Sequence, residues 1–447
     1  MKKRFFLISA SLMCLLTGVT SCAPVSSSQD ANQYTLPDLY NVTLREAKLN
    51  AGANVLFQAN EVETTELVEG RILGYSDTEA GAKVAKGSTV KVDVAKRVAH
   101  AKNYPDTSVI KYSDVIEKTT GPDSLNEDLC SAHGVGGTDL GIPFELPDGR
   151  MMLLYGDTFS GQNMQGIWHS NFMAITSDFD LSDGLTFDEL VYNENNNQVI
   201  PFAEGLHQGG NEHNTNVEVT KIPTGGISIG NDVYIFYMSI RYWGVGGSWN
   251  VNYNQCVKAT DDTYKTWEIV DSLKWKEDEL FYAGQIYPFH NPKDTEHIYF
   301  TSIPGGRNDG AVMFRVDKDK FENRSEYEYL TAKDTWTKGD TGMAKLNKNP
   351  YYVLNPAVSE PSIVYNEYLD KFIFCTLKGT SISLCLSDSV TGPYKDVYSV
   401  CNGVDYPGLY GGFLHEKFMD TDGERMYIQL SRWTPIYNTF CMEVVLK

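Results

Sequence analysis

The chain has 447 residues, enough for two or three domains, with 42% hydrophobic and 21% charged residues, so a folded rather than disordered protein is expected. A net charge of −20 argues against nucleic acid and anionic lipid headgroups as partners and leaves a neutral ligand such as a polysaccharide. Aromatic residues at 12% favour β structure and supply stacking surface.

At the N-terminus, Lys2, Lys3 and Arg4 precede an apolar stretch from Phe5 to Leu16 that is too short to span a bilayer. Val19-Thr20-Ser21-Cys22 follows and resembles the lipobox of bacterial lipoproteins. It implies a signal peptide over residues 1–21, lipidation at Cys22 and a polar tether over 22–33. Ala23 is not an Asp, so nothing points to retention at an inner membrane. The expected location is the cell envelope, in the outer membrane and facing either the periplasm or the surface. The only membrane contact expected is the lipid, and the protein is expected to be a monomer.

Residues 34–98 read as a separate small α+β domain. Thr43 with Glu46 forms a capping box that opens a short helix. Ser88 to Val94 alternates polar and apolar residues as a half-buried strand does. The run Pro37-Asp38-Leu39, Thr43-Leu44-Arg45-Glu46-Ala47 and Lys86-Gly87-Ser88-Thr89-Val90 resembles the PASTA domain, which implies a passive, glycan-facing spacer.

From residue 104 to 447 a pattern recurs five times. A segment with a polar residue among small ones opens each unit: Gly137–Gly141, Asn216–Thr220, Ala283–Ile286, Val358–Ser362 and Gly411–His415. An apolar strand follows each: Met151–Tyr155, Val233–Met238, Ile298–Thr301, Phe372–Leu377 and Met426–Leu430. Polar turns around Asp178, Asp261 and Asp388 join the later strands. The fold expected is all-β, a five-bladed β-propeller whose first strands line a funnel. A two-sheet sandwich fits the fivefold recurrence less well. The segment around Ser108–Tyr112 is expected to pair with the last blade and close the ring.

Cys130, Cys256, Cys375, Cys385, Cys401 and Cys441 lack metal-ligand spacing and read as buried thiols, so neither metal nor cofactor is expected. Glycosidic hydrolysis needs two carboxyl groups flanking the bond. Asp139 and Asp157 sit beside glycines on adjacent strands of one blade and form the candidate catalytic pair. Glu218 and Glu360 are further carboxylates at the funnel. Arg241, Arg307 and Arg432 each follow a second strand, which suggests a ring of cations on the same mouth. Trp168, His169, Trp243, Tyr410, His415 and Trp433 complete the expected glycan-binding set.

Gly137-Thr138-Asp139-Leu140-Gly141, Leu154-Tyr155-Gly156-Asp157-Thr158-Phe159, Trp168-His169-Ser170-Asn171 and Pro407-Gly408-Leu409-Tyr410-Gly411-Gly412-Phe413 resemble glycoside hydrolase family 183, the former domain-of-unknown-function 4185 family. The resemblance spans roughly residues 105–447. It implies endo-acting cleavage of D-arabinofuranan of the arabinogalactan or lipoarabinomannan type, or of a related furanosidic polysaccharide, with Asp139 and Asp157 carried over as the catalytic pair. Glu360 stands in Ser-Glu-Pro-Ser where the family pattern has Met after the Glu. Two readings from other classes are a non-catalytic glycan-binding lipoprotein and a protein-interaction platform.

Overall fold

The computed structural model describes residues 32–40, 42–64, 70–97, 106 and 108–447. The expected signal peptide, Cys22 and nearly all of the tether lie outside the described residues, as does the Glu46 side chain of the capping box. No helix among the described residues is long and apolar enough to cross a membrane.

Two compact units are present, the larger containing Ala95–Lys447. In the smaller one, a helix over Leu44–Ala51 accompanies a three-stranded sheet, in which Ser88–Arg97 lies between Val55–Thr64 and Ile72–Tyr75. Val90, Val92 and Val94 are buried with Leu36, Ala47 and Ile72, while Lys91 between them is exposed. The alternation read from the sequence therefore selects the face of the strand that joins this core.

The larger unit is mostly β. Among the described residues it holds five antiparallel sheets of four or five strands. Their first strands are Leu140–Glu145, Thr220–Ile229, Gln285–Asn291, Ser359–Asn366 and Leu409–Phe413. Each first strand packs on the first strand of the next sheet, and the fifth packs on the first. The apolar second strands fall where the sequence put them, at Met151–Tyr155, Asp232–Trp243, Asp294–Ile303, Lys371–Lys378 and Arg425–Arg432. In the fifth sheet the outermost strand is Ile110–Lys118, paired with Asn438–Leu446. The segment around Ser108–Tyr112 thus joins the two ends of the unit, and the pairing extends to Lys118.

The first strands of sheets one to four run several residues further than their sequence signal, and proline lies within each of them, at Pro143, Pro223, Pro288 and Pro361. Proline within a run argues against a central strand, because it cannot donate to a ladder. Here each such strand pairs on one side only and its other edge faces its neighbours, so the missing N–H costs no ladder bond. Two glycines set how closely these strands approach. A Cβ at Gly225 would lie 2.6 Å from Cδ of Pro288, and one at Gly226 would collide with the Phe144 ring. Gly226→Ala is therefore expected to cost about 1–3 kcal/mol through overpacking. Thermal melting measures it, and an unchanged midpoint would contradict this packing.

The polar turns also act as read. Asp178 accepts from the Thr186 backbone N–H at 3.0 Å and its hydroxyl at 2.6 Å, and Asp261 ties Thr263 and Thr266 in the same manner. Among the described residues, the six cysteines from Cys130 to Cys441 are buried free thiols.

Candidate active site

The starts of the first strands converge on one cavity of about 370 Å³. Asp139 directly precedes the first strand of sheet one, Glu360 is the second residue of that of sheet four, and Tyr410 the second of that of sheet five. Asp157 follows the second strand of sheet one across Gly156. A Cβ at Gly156 would collide with Oδ1 of Asp139, so glycine is what allows the two aspartate segments to close up.

Register shifts re-aim these residues. They fall at Leu140/Ile142, Ser359/Ser362 and Tyr410/Gly412. Gly141 and Gly411 take positive φ there, at 78° and 57°, and Glu360 takes 42° without the freedom of glycine. Such a conformation costs about 1–3 kcal/mol and persists where surrounding contacts over-determine it. Arg307 provides those contacts. Its Nη2 donates to Glu360 Oε1 at 2.5 Å and its Nε at 3.1 Å. Its guanidinium lies 5.2 Å from the Trp249 ring centroid and 5.0 Å from that of Tyr410.

Asp139 Oδ2 accepts from the Tyr410 hydroxyl at 2.6 Å, while its buried Oδ1 has no partner. Burial pushes its pKa up to about 6, against the opposing hydrogen bonds of Tyr410 and Tyr437, with the Glu360 charge adding to the rise. Asp157 Oδ1 accepts from Thr220 at 2.5 Å and from Trp168 Nε1 at 2.9 Å. Burial pushes its pKa up to about 7, opposed by those donors and reinforced by the charges of Asp139 and Glu204. Two adjacent carboxyls thus titrate close to neutrality, where one can give a proton and another accept it. Trp243, Trp249, Trp433, Met164, Met238 and Tyr437 line the walls. Trp433 is 59% exposed and Trp243 42%, so both line the cavity while leaving surface open to solvent.

Of the residues expected at the site, Asp139, Asp157, Glu360, Arg307, Trp243, Tyr410 and Trp433 line this cavity. The others do not. The expected ring of three arginines reduces to Arg307. Arg241 is buried against Glu277 at 2.7 Å and the carbonyl of Glu212 at 3.0 Å, and Arg432 donates to the Pro407 carbonyl at 3.1 Å. Glu218 lies two residues before its strand and is occupied by donors from Ser239 at 2.5 Å and Tyr253 at 3.1 Å.

His415 lies just past the other end of its strand, in a second cavity lined by Glu145, His290 and Glu416. Burial drives its pKa down to about 3, with His290 and Lys417 adding to the fall, so the ring there is neutral. Trp168 and His169 face Asp157 and Glu204 rather than the cavity. Thr220, Tyr437, Met164 and Glu204 were not legible as site residues, because a lone hydroxyl, thioether or loop acid carries no spacing signal. Among the described residues no group of three or more His, Cys, Asp or Glu is placed to hold a metal ion.

Residues 125–443 match the model of the family described as "Domain of unknown function (DUF4185)". The chain belongs to the DUF4185 family. It is similar to Notoamide biosynthesis cluster protein J' of Aspergillus versicolor, at 27% identity over 314 residues covering 67% of this chain and 82% of that one. Among solved structures, this DUF4185 chain shares the fold of a candidate hydrolase from Bacteroides ovatus, with a TM-score of 0.51 and 12% identity over 71% of this chain and 87% of that one. A family 117 glycoside hydrolase from Zobellia galactanivorans covers 76% of this chain and 92% of its own at 12% identity, with a TM-score of 0.40.

Proposed function

We propose that this protein is a five-bladed β-propeller glycoside hydrolase of family 183 type, acting in endo fashion on D-arabinofuranan or a related furanosidic polysaccharide. The observation that carries this reading is the pair Asp139 and Asp157. Both line an aromatic-walled pocket and are held near neutral pKa, with Glu360 tied to Arg307 in the same lining. One of the two carboxyls donates its proton to the glycosidic oxygen as the bond to the anomeric carbon breaks. The other, ionised, either activates the water that attacks the anomeric carbon or forms a glycosyl-enzyme that water then cleaves, leaving the new hemiacetal. Trp243 and Trp433 stack on sugar faces at the mouth. On this reading Cys22 carries the lipid that holds the enzyme at the cell envelope, and the smaller unit is a PASTA-like spacer.

Incubation with arabinogalactan and size analysis of the products tests the endo-acting form of this proposal. A ladder of arabino-oligosaccharides is expected. Release of single sugars alone would remove the endo assignment, and an unchanged polymer would remove the substrate.

A further inference from the structure

Asp157 is gripped by donors from two different places, and one loop braces both. Trp168 stands at the end of a hairpin that begins directly after Asp157 and pairs Trp168 with Phe159 and His169 with Thr158. Thr220 opens the first strand of sheet two. Between them runs the segment containing Glu204 and His207. The Glu204 carboxylate accepts from the Ser170 backbone N–H at 3.0 Å, from its hydroxyl at 2.8 Å, and from His207 Nε2 at 2.6 Å. His169 Nδ1 lies 3.3 Å from its other oxygen. The Trp168 ring in turn packs edge-on against the His207 ring, 4.0 Å between centroids.

On the Thr220 side, the His207 backbone N–H donates to the Val219 carbonyl at 3.1 Å. A Cβ at Gly205 would lie 2.7 Å from the Thr220 Cα, so the loop is pressed against that strand. Lys221 Nζ donates to the Glu204 backbone carbonyl at 2.9 Å.

We propose that Glu204 is a positioning residue, the clamp that holds Trp168 and Thr220 on Asp157; its catalytic meaning rests on the reading of Asp157 given above. The groups that face Asp157 are Asp139 from its own sheet, Tyr437 from sheet five, Glu204 from the loop, and the donors Thr220 and Trp168. His169, His207 and Lys221 stand behind Glu204. Hydrogen bonds from Ser170, His169 and His207 outweigh burial and hold Glu204 down to about 2, so it is a fixed negative charge at any working pH. That charge raises the proton affinity of Asp157, whereas the Trp168 and Thr220 hydrogen bonds lower it.

A clamp and a bare charge give opposite outcomes when Glu204 is removed. Loss of the charge alone would lower the pH at which Asp157 titrates, whereas release of the Thr220 and Trp168 donors raises it, and the Thr220 hydrogen bond is the larger influence. The test is titration of the Asp157 carboxyl by NMR in protein carrying ¹³C-carboxyl aspartate, its signal identified by its absence in Asp157→Asn. Trp168→Phe and Thr220→Val should titrate at higher pH than wild type, and Glu204→Ala should move the same way, with near-ultraviolet circular dichroism confirming folded protein. On a cleaved glycan, Glu204→Ala should lower kcat by about 10- to 100-fold with KM little changed, as expected for a misplaced catalytic group. An Asp157 titration unmoved or shifted to lower pH in folded Glu204→Ala overturns the proposal. An upward shift in a protein that cleaves no glycan would keep the clamp and overturn the hydrolase reading instead.

Discussion

Asp157→Asn is expected to abolish nearly all turnover while making the protein harder to melt at alkaline pH. General acid–base participation alone is worth about 10² to 10⁴ in rate. The stability effect follows from the same burial that makes the residue useful. In an unfolded chain this carboxyl ionises near 3.8, but in the folded protein it holds its proton to about 7. Between those values the unfolded chain binds fewer protons than the folded one, so rising pH favours unfolding across that window. Below pH 4 both states are protonated and the difference vanishes; above pH 7 the cost is present in full. Asparagine carries no such cost. The melting temperature of Asp157→Asn should therefore exceed that of wild type at pH 8 and converge with it toward pH 4. A variant less stable than wild type at every pH would contradict a buried carboxyl that holds its proton to about 7.

Arg307→Ala should be the most destabilising single change in the site. It leaves Glu360 buried without its partner and removes the cation held between Trp249 and Tyr410. Breaking a buried ion pair from one side costs about 3–5 kcal/mol, because a charge stays buried and uncompensated. Adding Glu360→Gln should recover a large part of that loss, since no charge is then left to solvate. Denaturant unfolding of the two single variants and the double variant measures the coupling. Equal stability of Arg307→Ala and the double variant would show that an uncompensated Glu360 charge is not the source of the loss.

The sequence exposed most of the β framework and about half of the site. Second strands such as Met151–Tyr155 announce themselves because they are paired on both sides and apolar throughout. The inner strands of sheets one to three were visible only at their starts, since Pro143, Pro223 and Pro288 read as strand breakers except at a free edge. Asp139 and Asp157 could be found because each stands near glycine on adjacent strands of one sheet, and Arg307 because it follows a second strand as Arg241 and Arg432 do. Arg241 and Arg432 satisfied the same rule and were nonetheless taken up by Glu277 and the Pro407 carbonyl. Recurrence fixes where a side chain starts, and its local partners decide where it ends. His415 shows the other limit: the strand it follows is only Leu409–Phe413, and those few residues separate two cavities. Glu204 was unreadable for a different reason, since it acts through residues 34 positions away and its loop has no pattern.

We propose hydrolysis at this pocket, with Asp139 and Asp157 adding water across a glycosidic bond. Digestion of arabinogalactan in ¹⁸O-water tests it most directly, because hydrolysis at the anomeric carbon writes solvent oxygen into each new reducing end. Mass spectrometry of the products should show one ¹⁸O per new end with wild type, and almost no product with Asp139→Asn or Asp157→Asn. Labelled products formed by both variants at close to the wild-type rate would contradict the assignment of the pair, and binding of the glycan with no labelled product from wild type would contradict hydrolysis itself.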